Sequence, residues 1–391
     1  MKPRIAIIGA GPTGLEAGLA ATQRAYEVTI YETGEVADSV KRWGHIRMFS
    51  PFSMNTSADG LALLKKRGLP LPADDDYLTG REFAAAYLEP LAQDLPVLSR
   101  TRVKAIVREH SGKRDDIGEP SRADTPFRLL VESDGVERHD YAEIIFDCSG
   151  TFHNPNPLGD GGIHALGESA ARELIHYGLG EASDIRAFGG LRVLVVGGGH
   201  SAANLIVALE WLRRQAPTTE IHWVVRNLGR SPCARTPEDP LAERDSICTS
   251  ANAAVATGNV IHHEGATVME VSKHDQHLNV TLVASNGINV IQVDRAISAT
   301  GFRPDWSFVR ELHLQTCWAT EGTYPLAATL LGECGGDCLA IPAFGADTLL
   351  HPEPHFYALG IKSYGRSPDF LISTGLRQIE SLMKRLDADH P

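Results

Sequence analysis

Short apolar runs bounded by glycines or polar turn residues recur along the chain and predict buried strands. They cover residues 4–8 (RIAII), 27–32 (EVTIYE), 103–108, 144–148 (IIFDC), 191–196 (LRVLVV), 220–225 and 295–299. Two further stretches alternate apolar and polar residues with period two. Residues 127–132 and 136–141 flank Asp134-Gly135, and residues 278–283 and 288–293 flank Asn286-Gly287. Both read as hairpins. Helical spacing predicts helices over 15–22, 203–214 and 373–383, the last capped by Ser373 or Thr374. Thr79 and Glu82 form a capping-box pair ahead of a helix through residue 91. Residues 40–51 read as irregular backbone punctuated by aromatics, and 113–124 as a solvated loop. Residues 355–363 read as a strand running into a turn. Strands alternating with helices place the chain in the α/β class.

The pattern repeats. Residues 127–150 and 278–301 have equal length and the same order of elements: strand, glycine turn, strand, then a buried strand ending in Ser149-Gly150 or Thr300-Gly301. This is an internal duplication of a supersecondary unit. Each copy follows its own glycine-rich turn.

The first turn, GAGPTG (9–14), lies between a strand and a helix, and the next strand ends in Glu32. In that context it is a dinucleotide fingerprint. Gly9 permits the tight turn, Gly11 lets a pyrophosphate approach the backbone, and Gly14 lets helix and strand pack closely. The helix N-terminus that opens at Pro12 and Thr13 offers the free N–H groups after the proline to phosphate, and Glu32 can accept hydrogen bonds from ribose hydroxyls. The second turn, GGGHSA (197–202), is the G-x-G-x-x-A variant, built on Gly197, Gly199 and Ala202, with His200 and Ser201 at the helix start. Its following strand ends in Arg226, with Arg230 close behind. Guanidinium groups there suit a 2′-phosphate, which points to NADP(H).

Composition adds exclusions. Among 391 residues the formal net charge is −12, with no long basic run, which argues against nucleic acid as a partner. The first residues mimic a secretory signal, but Glu16 interrupts the apolar run and removal would destroy the turn. No stretch is apolar enough to span a bilayer. Six cysteines without a signal suggest reduced thiols and a cytoplasmic location.

Two Rossmann units, each followed by a hairpin and a strand ending in Ser/Thr-Gly, resemble the two-dinucleotide-binding-domain flavoproteins. ATGFRPD at 299–305 is similar to the segment of these enzymes that touches the nucleotides, and DCSG at 147–150 fills the earlier equivalent. The resemblance implies two Rossmann-like three-layer domains, the second inserted into the first. It divides the chain into an FAD domain over 1–160, an NADP(H) domain over 161–295, and the rest of the FAD domain over 296–391. It implies FAD at Gly9, Gly11, Pro12, Thr13, Gly14 and Glu32, with further contacts from Trp43 and Ser50 in the 40–51 loop and from Gly150, Gly301, Gly375 and Leu376. The helix after Ser373 would face the flavin and stabilise its reduced charge. Gly197, Gly199, His200, Ser201, Ala202, Arg226 and Arg230 would hold NADPH.

In relatives that reduce disulfides, electrons pass to a C-x-x-C or C-x₄-C pair. Here Cys148 and Cys233 stand alone in sequence, and Cys334 and Cys338 form a C-x-x-x-C away from the usual positions, leaving a bridge or metal there as a lesser alternative. Dioxygen is then the expected acceptor. The expected reaction is a C4a-(hydro)peroxyflavin monooxygenation of a small-molecule substrate, with Arg47, His351 and His355 as pocket candidates. The F-x-G-x-x-x-H-x-x-x-Y/F signature of flavin-containing and Baeyer–Villiger monooxygenases is absent; DGGIHALGE (160–168) stands at that linker. A reductase of a small disulfide or quinone, and a redox sensor with little turnover, are the alternatives. A homodimer is the expectation carried by the superfamily.

Overall fold

The computed structural model describes residues 2–236, 238–332 and 345–389. The described chain divides into two compact units. One comprises residues 1–41, 50–153 and 303–391, the other residues 42–49 and 154–302. The second is thus inserted in the chain of the first, with cuts at 153/154 and 302/303 where the sequence reading placed them at 160/161 and 295/296. Cys334 and Cys338 lie outside the described residues.

In the first unit, β1 (Arg4–Ile8) pairs in parallel with β2 (Glu27–Tyr31) on one side. Beyond β2 lies the short β3 (Val97–Leu98). A three-stranded antiparallel layer follows from β4 (Thr101–Arg108), β5 (Phe127–Ser133) and β6 (Val136–Ala142). The chain then returns through β7 (Ile144–Asp147) to the other side of β1, and the late strand Phe356–Ala358 extends that edge. Helix α1 (Pro12–Gln23) connects β1 to β2. One face of the parallel sheet packs on the antiparallel layer through Ala6, Ile8, Ile145, Phe127, Leu129 and Val131, all buried.

The second unit repeats this plan. Its parallel sheet holds β8 (Ile175–Tyr177), β9 (Arg192–Val196), β10 (Glu220–Val225), β11 (Ile261–Glu264) and β15 (Arg295–Ser298), in the order β11-β10-β9-β15-β8. Its antiparallel layer is β12 (Thr267–His274), β13 (His277–Ala284) and β14 (Gly287–Val293). Leu194 and Val196 of β9 face that layer. Val193 and Val195 face α2 (His200–Gln215) and α3 (Ala242–Ala256). That alternation is the period-two pattern of a strand buried on both faces.

The duplication extends to details. Phe127 pairs with Ala142 as Leu278 pairs with Val293. Each layer carries a β-bulge at the equivalent place, skipping Lys104 between Val103 and Ala105, and Met269 between Val268 and Glu270. Asp134 and Gly135 both have positive φ, 50° and 77°, as a tight primed turn requires.

Several local expectations are corrected. Helix α2 begins at His200, three residues earlier than read, because Gly199 adopts the extended N-cap conformation. The late strand ends at Ala358: Gly360 takes φ 66° and the chain turns into a short helix, Ile361–Tyr364. The closing helix is Ile372–Asp389, so Ser373 and Thr374 lie in its first turn instead of capping it. The 113–124 stretch is not simply solvated. Its Arg122 is buried and ion-paired with Glu353, which also pairs with buried Arg108. No helix among the described residues is long and apolar enough to cross a membrane.

Candidate dinucleotide-binding sites

The first cradle is built where β1 meets α1. Gly9 has φ +104°, and a Cβ there would come within 2.7 Å of the Cys148 carbonyl oxygen. A Cβ on Gly14 would lie 1.9 Å from the Gly9 carbonyl oxygen. These two glycines are therefore fixed by the fold itself. Gly11 differs. It has φ −82°, which any residue adopts, and no heavy atom of the protein lies within 4 Å of where its Cβ would be. Of the turn's three glycines only Gly11 has space above it, as a ligand pressed against the backbone needs. No side chain caps α1. Its first amides stay available to an anion.

Glu32 is buried at the end of β2. Its Oε2 accepts the Ala10 N–H and its Oε1 the Gly34 N–H, both at 2.8 Å. The carboxylate is thereby aimed, and each oxygen keeps a lone pair for a further donor. Glu16, on α1, is buried and accepts from the Tyr87 hydroxyl (2.6 Å) and the Ser57 N–H (3.1 Å). Burial raises its pKa. It ties α1 to the segment that follows Ser50. Ser50 itself is buried and donates to Asn55 Oδ1, whose amide returns bonds to the Ser50 and Pro51 carbonyls.

The closing helix reaches the same cradle. A Cβ on Gly375 would meet the Thr13 hydroxyl at 3.2 Å, and one on Gly360 would meet it at 2.5 Å. Thr13, Gly360 and Gly375 thus converge, with Leu376 one residue further along the helix. Gly360 is held by its N–H, which donates to Gln378 Oε1. Gly150, at φ +69°, ends β7 beside Ile361. Beneath it lies a buried ion pair that the sequence did not reveal. Lys362 Nζ sits 3.0 Å from Asp147 Oδ2, donates to the Ser149 hydroxyl and the Asp305 carbonyl, and lies 4.6 Å from the Trp306 ring centroid. Asp147 Oδ1 also accepts from the Ser149 N–H and hydroxyl. The strand end that carries Gly150 is locked in place by this network.

The second cradle follows the same rules. Gly197 has φ +131°, and its Cβ would fall 2.3 Å from the Ala299 carbonyl oxygen. Trp223 donates its indole N–H to the Gly197 carbonyl at 2.7 Å. Gly199, like Gly11, has nothing within 4 Å of a Cβ position. His200, Ser201 and Ala202 form the first turn of α2, which no side chain caps. Arg226 and Arg230 are exposed past the end of β10, and neither has an ion-pair partner among the described residues.

The remaining candidates fall elsewhere. Gly301, expected with the first nucleotide, follows β15 in the second unit, where it is the repeat of Gly150. Trp43 packs on the helix-side core of the second unit, and Arg47 lies in the same 42–49 segment. His351 is a packed histidine. Its Nδ1 accepts the Gln315 N–H, its ring lies between Trp306 and Phe356, and burial lowers its pKa to about 4. His355 precedes the strand Phe356–Ala358, so it sits at the N-terminal end of a sheet whose cradle is at the C-terminal ends.

The cysteines bring another correction. Cys233 is not alone: it is joined to Cys248 of α3, and both are buried in the second unit's core. The expectation of reduced thiols throughout is therefore not met at this pair. Cys148 and Cys317 are free and buried. Burial, with Asp147 next to it, pushes the Cys148 thiol well up.

Comparisons place these features among known folds. Residues 6–114 match the pyridine nucleotide-disulphide oxidoreductase family. No curated protein sequence matches the chain. A bacillithiol disulfide reductase from Bacillus cereus superposes with a TM-score of 0.74 at 17% identity, over 100% of both chains. An ornithine N-hydroxylase from Kutzneria sp. 744 gives 0.67 at 16% identity, over 100% of this chain and 99% of that one. A flavin-containing monooxygenase from Stenotrophomonas maltophilia gives 0.65 at 20% identity, over 100% of both. The chain thus has the fold of the two-dinucleotide-binding-domain oxidoreductases.

Proposed function

We propose that the protein is an NADPH-dependent flavoprotein monooxygenase acting on a small molecule, with FAD in the first cradle and NADP(H) in the second. The fit of the first cradle supports FAD: space above Gly11, uncapped N–H groups at Thr13 and Gly14, a carboxylate at Glu32, and a second helix N-terminus at Gly375. The exposed Arg226 and Arg230 at the end of β10 support NADP(H) over NAD(H). Bound flavin supplies hydride acceptance and reaction with dioxygen; the protein supplies binding, orientation and charge.

The observation that carries the choice of acceptor is Cys148. It is the cysteine beside the first cradle, 3.4 Å from where a Gly14 Cβ would be, and its thiol is held protonated by burial. A thiol, unlike a thiolate, is a poor nucleophile. The Cys233–Cys248 pair is buried too, each residue 1% exposed. Among the described residues no exposed dithiol is present to receive electrons, which supports dioxygen over a relay through protein thiols.

Stopped-flow mixing of NADPH-reduced protein with oxygenated buffer tests this. A transient whose spectrum belongs to neither reduced nor oxidised flavin is expected before reoxidation. Direct single-phase reoxidation, together with anaerobic turnover of a small disulfide or quinone, would show a reductase instead. A second expectation concerns specificity. Arg226→Ala should weaken NADPH binding by about 10- to 100-fold through loss of a charge-assisted contact, and leave NADH binding unchanged. Dissociation constants from the rate of flavin bleaching read this directly.

A further inference from the structure

We propose that His200, Cys233 and the reduced thiol of Cys248 form a binding site for one zinc ion in the second unit. The three side chains come from separate segments: the first residue of α2, the stretch after β10, and the middle of α3. Their ligand atoms all lie within 4.8 Å of one another. Donors on a tetrahedral zinc with ordinary Zn–S and Zn–N bonds stand about 3.5–3.8 Å apart. The two sulfurs, bonded to each other here, must part to reach that spacing, which reduction permits.

The surroundings suit a metal site. Both cysteines are buried, and His200 is half-buried with Phe49 edge-on to its ring at 5.6 Å. Asn252, one turn along α3 from Cys248, accepts the Cys233 N–H at 3.0 Å and donates to the Cys233 carbonyl at 2.9 Å. This double bond to the backbone fixes Cys233 against α3, the role that outer residues play around metal ligands. Two soft sulfurs and one imidazole select zinc over magnesium or calcium, and three protein donors leave the fourth position to water.

The two sulfurs are bonded to each other in the structure, so the metal takes the reduced form. A trialkylphosphine and water convert the bond to two thiols and a phosphine oxide. Zinc then displaces both thiol protons, and the site ion with two thiolates and a neutral imidazole carries no net charge. Bound in this way, the ion staples the stretch that carries Arg226 and Arg230 to the start of α2 and the middle of α3.

The test uses the full-length protein, treated with trialkylphosphine, stripped with a chelator and gel-filtered. Zinc is titrated against a chromogenic indicator, and cobalt is added in parallel as an optical probe. One zinc per chain is expected in the reduced protein and none in the untreated, bonded form. Cobalt should give thiolate charge-transfer bands and tetrahedral ligand-field bands to the red of any flavin absorption. Cys248→Ser should abolish the charge-transfer intensity of one sulfur, and Asn252→Ala should weaken zinc binding about 10- to 100-fold. Reduced wild-type protein that takes up no zinc, or cobalt spectra without thiolate bands, would overturn the proposal without any variant having to fold. Zinc uptake by Cys248→Ser equal to wild type would overturn it as well.

Discussion

A Gly11→Ala chain is expected to fold as stably as the parent and to lose its flavin. The backbone at Gly11 already has dihedrals that alanine adopts, and no protein atom lies within 4 Å of the new methyl. Unfolding free energy of the flavin-free forms should therefore agree within about 0.5 kcal/mol, as for substitutions that touch nothing. The methyl does occupy the space through which a pyrophosphate reaches the α1 amides. Flavin affinity should fall about a hundredfold, roughly 2.8 kcal/mol. Gly14→Ala makes the contrast. Its Cβ would stand 1.9 Å from the Gly9 carbonyl oxygen, so α1 must leave β1 and both stability and binding suffer. Denaturant midpoints and flavin content of the two variants separate a ligand contact from a packing contact. If both variants lose stability alike, the space above Gly11 is not a ligand space.

Glu353→Ala is expected to be the most damaging single change to stability, at about 3–5 kcal/mol. Arg108 Nε donates to Glu353 Oε1 at 2.7 Å, and Arg122 Nη2 to Oε2 at 2.9 Å, with all three side chains at 2% exposure or less. Removing the carboxylate strands two guanidinium groups in the core of the first unit. Replacing all three by apolar residues of similar size should recover most of the loss, because the cost lies in the unpaired charges. The triad also sets a pH dependence. Burial by itself raises the Glu353 pKa, but hydrogen bonds from Arg122, the His313 N–H and Arg108 outweigh it and hold the carboxyl below its usual range. With the folded value depressed, the contribution is fully present above the unfolded carboxylate pKa. It is lost as pH falls through the folded one. Urea melts from pH 7 downward should show wild type losing stability in acid and the apolar triple variant losing less.

Much of the architecture was legible because its signals are local. Period-two alternation around Asp134-Gly135 and Asn286-Gly287 fixed both hairpins, and equal spacing to Gly150 and Gly301 exposed the repeat. The roles of Gly9, Gly11 and Gly14 followed from one short motif. What escaped was long-range. Arg108 stands on the inward-facing parity of β4, a sign of burial, yet its partners Arg122 and Glu353 come from polar or proline-rich stretches without periodicity. Cys233 and Cys248 are far apart in sequence and meet only because α3 packs beside the end of β10. Trp43 and Gly301 were expected at the flavin from the family resemblance, and both belong to the second unit. Lys362 sits in a short helix that no pattern announced, and its partner Asp147 was hidden at the end of an apolar strand.

Two strand–turn–helix cradles in one chain are proposed to hold a flavin and its reductant. Anaerobic titration of the purified protein with NADPH, followed by visible absorption, tests it most directly. A yellow protein with one FAD per chain is expected, bleaching fully with one equivalent of NADPH and much less readily with NADH. A colourless protein that takes up no added FAD, or a flavin that NADPH leaves oxidised, would contradict it.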